Sequence, residues 1–357
     1  MGDPRIDEAI AAGDVPPDVP IHLLRESRDT SAIAGIVVVL VLTTLVVVLR
    51  LYSRKYITKK GALGIDDGIA LASLLVFIPF TALCIELLVL GAGRNFLFEW
   101  FIMTAEDDYK VQLIDSITHL VYSTTLVLCR VSGLAFYYRI CRMNPKFLLA
   151  IKIIFVVIIL GYVAQLCLII FHCQPITLLW APWNKDDNAK YYCMYWYETY
   201  SIISSISLFC DLLLFGIPAI MLKGLELQRK QKLQLAYTLF PGILVIGISA
   251  GRIVLVTKYG YETDETFEYA FLNLLCVEVA EVGATIIAVS IPGVKPLVDK
   301  YILLKDRDST SSNSKSRGTS ISSTEEIKQH RGHVDIMEFS EEKFGRWSRR
   351  QTEGGTA

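Results

Sequence analysis

Charge is scarce in this chain. Only 20% of its 357 residues are charged, while 53% are hydrophobic. The mean hydropathy is +0.44. A soluble domain of this length is less apolar and more charged. Neither sign of charge prevails, the formal net charge being −1, which argues against a nucleic-acid partner. Histidine is also rare. Of five residues, only His119 and His172 lie in or beside apolar runs, too few for the metal site of a seven-span zinc hydrolase. No CxxC, P-loop or HExxH occurs, so the usual zinc, phosphate and protease motifs are missing. No N-x-S/T sequon is found, and N-glycosylation is not expected. The first 30 residues lack the basic-then-apolar layout of a cleaved signal peptide, so the first apolar run is expected to persist in the mature protein.

What the chain does contain is long apolar runs. Seven are near 20 residues or longer: about 32–51, 67–90, 113–138, 147–171, 198–222, 235–257 and 269–291. Each suffices to cross a hydrocarbon core as a helix, whereas barrel strands are about half as long and alternate. The expected fold is an all-α, seven-transmembrane helix bundle. Residues 1–31 form a polar N-terminal tail and 32–292 the bundle. Residues 293–357 form a serine-rich, charged tail expected to be largely disordered. Lys295, Lys300, Lys305 and Arg307 stand where they would meet anionic lipid.

Lysine and arginine set the orientation. The loops after the first, third and fifth runs hold Arg50, Arg54, Lys55, Lys59 and Lys60; Arg139, Arg142, Lys146 and Lys152; and Lys223, Arg229, Lys230 and Lys232. The three opposite loops hold Arg94, Lys110, Lys185, Lys190 and Lys258. Thirteen against five places the first set in the cytosol, the N-terminus outside and the C-terminus inside. The outward loops carry acidic stretches at 106–108 and 262–268, and the 172–197 loop is rich in Trp and Tyr. That loop reads as an interfacial belt or a ligand lid. Cys173 and Cys193 would share it, facing an oxidising compartment, and a disulfide between them is expected. LGAGRN, 90–95, is read as a turn.

Ionisable residues inside such runs are costly and face the bundle interior. Arg130 interrupts LVLCRVSGLAFYYR in the third run. Asp211 lies in the fifth, Arg252 in the sixth, and Glu278 and Glu281 in the seventh. Counting from the expected span ends, Arg130, Asp211 and Glu281 fall about 14–17 Å from the inner face, at one level. An ion-pair layer follows, with Arg252 nearer the outer side and expected to pair with Glu278. Asp115, His119 and Arg130 lie within about 60° on one helix face, a single polar stripe. Two readings stay open: a clamp that fixes helix orientation, and a switch or ligand anchor. The seventh run holds no lysine, so no retinal Schiff base is available, and no metal or other cofactor is expected.

Several stretches resemble the fungal rhodopsin-like-domain integral membrane proteins, a family that includes surface-sensing receptor-like proteins. They are IDDGIAL at 65–71, LGAGRN at 90–95, FYYRIC at 136–141, FHCQPITLLW at 171–180, DLLLFGIP at 211–218 and EVGATIIAVSIPGVKPL at 281–297. The similarity runs from the first apolar run to Leu297. It matches Asp66 and Asp67 to an acidic pair, Arg130 to a position more often lysine, and Asp211, Pro218, Arg252, Glu281 and Pro292 to polar or kinking positions. Cys173 and Cys193 match two loop cysteines. The third run ends in FYYRIC instead of DRY, and the seventh in IPGVKP instead of NPxxY. The resemblance implies a plasma-membrane receptor for an unknown extracellular ligand, coupled to a heterotrimeric G protein. Arg139, Arg142, Arg229, Lys230 and Lys232 would meet the cytosolic partner. A transporter using the buried charges is the alternative, and an enzyme is the least supported class.

Overall fold

The computed structural model describes residues 3–17, 19–57, 64–141, 145–174, 192–224, 229–261 and 269–298. Seven long helices dominate: α3 (Asp29–Tyr52), α4 (Ile65–Leu90), α6 (Ala105–Ile140), α7 (Pro145–Phe171), α8 (Trp196–Gly224), α9 (Arg229–Tyr261) and α10 (Ala270–Val298). Three short helices precede or join them: α1 (Pro4–Ala12), α2 (Ile21–Arg25) and α5 (Phe96–Phe101). A π-helical turn, Ser53–Ile57, extends α3. Two-residue strands β1 (Cys173–Gln174) and β2 (Tyr192–Cys193) pair antiparallel. The seven long helices are each apolar and long enough to cross a membrane.

Neighbouring helices close a ring in the order α3, α4, α6, α7, α8, α9, α10 and back to α3, with α6 also touching α8 and α10. The inner faces make two cores. One joins α3, α4, α6 and α10 through Ile36, Phe77, Phe80, Leu126 and Val282; the other joins α6, α7 and α8 through Leu134, Ile158 and Ile217. The outward faces are equally apolar. Val41, Leu160 and Val254 are 59%, 62% and 64% exposed. No aqueous surface favours that arrangement in a monomer, but acyl chains do.

Local signals explain the ends. Thr104 caps α6 by accepting from the Asp107 N–H, and the Asp107 carboxylate answers the Thr104 N–H, a capping box. Gly91 ends α4 at φ +103°, where a side chain would also strike Phe98, so LGAGRN is a turn. Gly283 lets α10 approach α3, since a Cβ there would meet Val39 Cγ1.

The N-terminal segment is more ordered than a tail. Asp3 caps α1, Pro4 opens it and Gly13 ends it at φ +82°. Ile6 and Leu24 are buried against Phe98 and Ile102 of the α4–α6 connection. Arg94 pairs with Asp3 at 3.2 Å and Asp29 at 3.1 Å, and its guanidinium stacks over Phe98. The 293 boundary also moves, since α10 runs on to Val298. The serine-rich stretch, the 262–268 acidic loop and Trp180 and Trp183 lie outside the described residues.

Candidate functional site: a buried charge network

Arg130 points into the bundle and is 3% exposed. Its Nε donates to Asp211 Oδ1 at 2.8 Å and its Nη2 to Oδ2 at 3.1 Å, a side-on bidentate pair across α6 and α8. Nη2 also donates to Ser207, to its carbonyl at 3.1 Å and its Oγ at 2.5 Å. Asp211 accepts from Ser249 of α9 at 3.2 Å. That hydroxyl also lies 2.7 Å from Glu281 Oε1 of α10. The expected layer therefore exists in altered form. Arg130 meets Asp211 directly, whereas Glu281 joins through Ser249 and a long 3.5 Å contact with Ser207.

Arg252 corrects the expected pairing. Its Nη1 lies 3.1 Å from Glu281 Oε2, not against Glu278. Tyr122 of α6 completes that knot, donating to Glu281 Oε2 at 2.6 Å while accepting from Arg252 Nη1. Glu278, one turn nearer the start of α10, faces the polar stripe instead. Its Oε1 is 3.6 Å from His119 Nδ1. His119 Nε2 is 3.3 Å from Asp115 Oδ1, and Tyr200 of α8 donates to Asp115 Oδ2 at 3.2 Å while also meeting His119. Four helices thus share two adjoining clusters. One is made of Asp115, His119, Tyr200 and Glu278. The other runs from Tyr122 and Arg252 through Glu281 and Ser249 to Asp211 and Arg130, with the His119 and Tyr122 rings edge to face between the two. Asp211 also lines a cavity of about 70 Å³ with Phe136, Leu214, Val245 and Val289, enough for a few water molecules.

A second knot lies at the opposite end from the N-terminus. Arg50 reads from the sequence as a loop charge, yet its side chain is 0% exposed. Its Nε donates to Asp67 at 2.9 Å, Nη2 to Asp66 at 3.0 Å and Nη1 to the Val289 carbonyl at 2.6 Å. Ser132 of α6 donates to the Asp66 carbonyl at 2.9 Å, and Arg54 and Arg139 reach Asp66 at 3.6 Å and 3.5 Å. Arg139 remains 48% exposed. Arg142 lies outside the described residues, and so do the side chains of Arg229, Lys230 and Lys232. Cys173 and Cys193 are joined by a disulfide that closes the β1–β2 ladder. Among the described residues no cluster of three His, Cys, Asp or Glu side chains is arranged for a metal ion.

The signals for the missed groups differ. Asp66 and Asp67 open α4 as a pair at a helix start, which invites a basic partner, and Arg50 sits inside the apolar context VVVLRLY. Tyr122, Ser207 and Ser249 carried no comparable mark.

The fungal rhodopsin domain family matches residues 49–300. That stretch is most of the chain, and the protein belongs to this family. It is a multi-pass membrane protein of seven helices. Among curated proteins it is similar to satratoxin biosynthesis SC1 cluster protein 4 of Stachybotrys chartarum, at 22% identity over 182 residues. The match covers 50% of this chain and 63% of that protein. The chain thus spans under two thirds of the curated relative's length. No solved structure matches.

Proposed function

We propose that this protein is a receptor-like sensor in the plasma membrane, with its N-terminus outside and its C-terminus in the cytosol. An extracellular or surface cue would bias the bundle between two packings, and a cytosolic partner, in the first instance a heterotrimeric G protein, would read the result. The observation that carries this reading is the charge chain linking α6, α8, α9 and α10. Exchangeable ion pairs on separate helices give a bundle discrete alternatives, which a ligand can select only through differential contacts. The basic excess at the end holding Arg139 supports the orientation.

The test is nucleotide exchange on Gα in native membranes. Arg130→Ala and Asp211→Asn should change basal or stimulated exchange; unchanged exchange in both variants counts against the switch. A second reading, an ion-coupled carrier, is favoured by the same chain ending at a cavity beside Asp211. Charge-carrying, substrate-dependent flux in proteoliposomes would select it. The relative's name associates that protein with toxin biosynthesis and does not separate the two readings.

A further inference from the structure

The network does not balance its charges. Asp115, Asp211, Glu278 and Glu281 bring four carboxylates, whereas Arg130 and Arg252 bring two guanidinium groups. Glu278 and Glu281 are 3% and 0% exposed. Uncompensated charge is expensive at such depth, so the excess is relieved by binding a proton. His119 is the one further basic group in contact with these carboxylates among the described residues.

The two buried arginines of the network differ in a telling way. Arg130 has its Nε–Nη2 edge filled by both Asp211 oxygens. Arg252 is 2% exposed, yet its Nε and Nη2 are buried without a hydrogen-bond partner. That edge has the geometry to take one carboxylate. Glu278 lies within electrostatic reach of it, and its own contact is the long 3.6 Å approach to His119. One unpartnered donor edge and one loosely held acceptor therefore stand in the same cluster.

We propose that His119 and Glu278 form a proton-binding site, and that the proton decides which cation holds Glu278. With the imidazole doubly protonated, Glu278 stays with His119 and α10 is tied to α6. When the proton leaves, the carboxylate turns to the Nε–Nη2 edge of Arg252 and ties α10 to α9 instead. The released proton passes to Asp115, whose side chain is 24% exposed, and from there to water. The groups around the site are Asp115, His119 and Tyr122 of α6, Tyr200 of α8, Arg252 of α9, Cys84 of α4, and Cys276 and Glu281 of α10 itself. The ligand class is the proton, and no space for a larger molecule is required. The inference rests on the buried network and not on the signalling reading; G-protein exchange and proton binding succeed or fail independently.

The test is NMR on the full chain in lipid nanodiscs, with labelled histidine rings and labelled arginine Nε. His119→Gln and Arg252→Lys assign the two signals. In the wild type, the His119 ring and the Arg252 Nε–H should titrate together, with one midpoint. Glu278→Gln should abolish the Arg252 response and lower the His119 midpoint by about one pH unit or more, as expected on losing an opposite charge. If Glu278→Gln does not fold, the wild-type covariation decides. A His119 ring that does not titrate, or one that titrates while Arg252 stays unchanged, overturns the proposal; the latter result means that water alone serves the arginine edge.

Discussion

Arg50 and Arg252 are both fully buried arginines, but their surroundings differ. Arg50 spends every edge of its guanidinium, on Asp67, Asp66 and the Val289 carbonyl. Arg252 engages only Nη1, leaving Nε and Nη2 unpartnered. The first arrangement has one low-energy solution, because any movement of α3, α4 or α10 breaks a charge-assisted bond. The second leaves one donor edge open, and the proposed proton site gives it a second arrangement, with Glu278 on that edge while Glu281 keeps Nη1. The end near Asp66 is thus built as a clamp, whereas the middle of the bundle holds a donor edge without a hydrogen-bond partner, which the proposed proton site would make an adjustable junction.

The comparison breaks most readily at the clamp. Asp67→Ala strands Arg50 without one of its carboxylates, and removing one partner of a buried pair costs about 3–5 kcal/mol. Denaturation of purified protein in detergent should show that loss, with a fall in yield. Reducing the Cys173–Cys193 disulfide comes next. Its sequence separation of 20 corresponds to about 3 kcal/mol in the chain-entropy account. Melting with and without reductant checks it, and alkylation before reduction should leave both thiols unlabelled. Arg252→Met should cost less than Asp67→Ala, about 1–3 kcal/mol, because Glu281 keeps hydrogen bonds from Tyr122 and Ser249. A loss equal to that of Asp67→Ala would erase the distinction between clamp and junction.

The smallest effect concerns the N-terminal cap. Burial pushes the Asp3 carboxyl up, but hydrogen bonds from Arg5 and the charges of Arg5 and Arg94 outweigh it and hold the group below its ordinary value. A carboxylate lowered in this way contributes stability above its unfolded pKa and loses it as pH falls through the folded value. The amount is about 1 kcal/mol or less. Protection factors of the α1 amides, with the intrinsic pH dependence of exchange divided out, should fall in acid before those of α4 or α6 do, and Asp3→Asn should remove the difference.

The seven helices were legible because apolar length is a strong signal that packing cannot override. The members of the network were legible too, since Arg130, Asp211, Arg252, Glu278 and Glu281 stand alone in apolar runs. Their partners were less so. Depth counted from an expected end at residue 291 is off by about two turns, since α10 continues to Val298, and Glu278 and Glu281 stand only about one turn apart. Arg50 was hidden by its basic neighbours, which made it look like part of a loop. Hydroxyl bridges were silent for another reason. Thr43, Thr118, Thr124 and Thr125 all donate to their own helix four residues back, and nothing in the sequence distinguishes Ser207 and Ser249 from them. The cap over α5 did carry a signal, since Asp3, Pro4 and Gly13 mark a helix start and stop around isolated apolar residues.

The central claim is that Arg130 is held inside the membrane by Asp211 across the bundle. A double-mutant cycle on unfolding free energy tests it directly, with Arg130→Met, Asp211→Leu and the combined variant. Each single change leaves a charge stranded and should destabilise strongly, while the double variant should recover much of the loss, giving a coupling of about 2–3 kcal/mol. Additive losses, with no coupling between the two positions, would contradict the account.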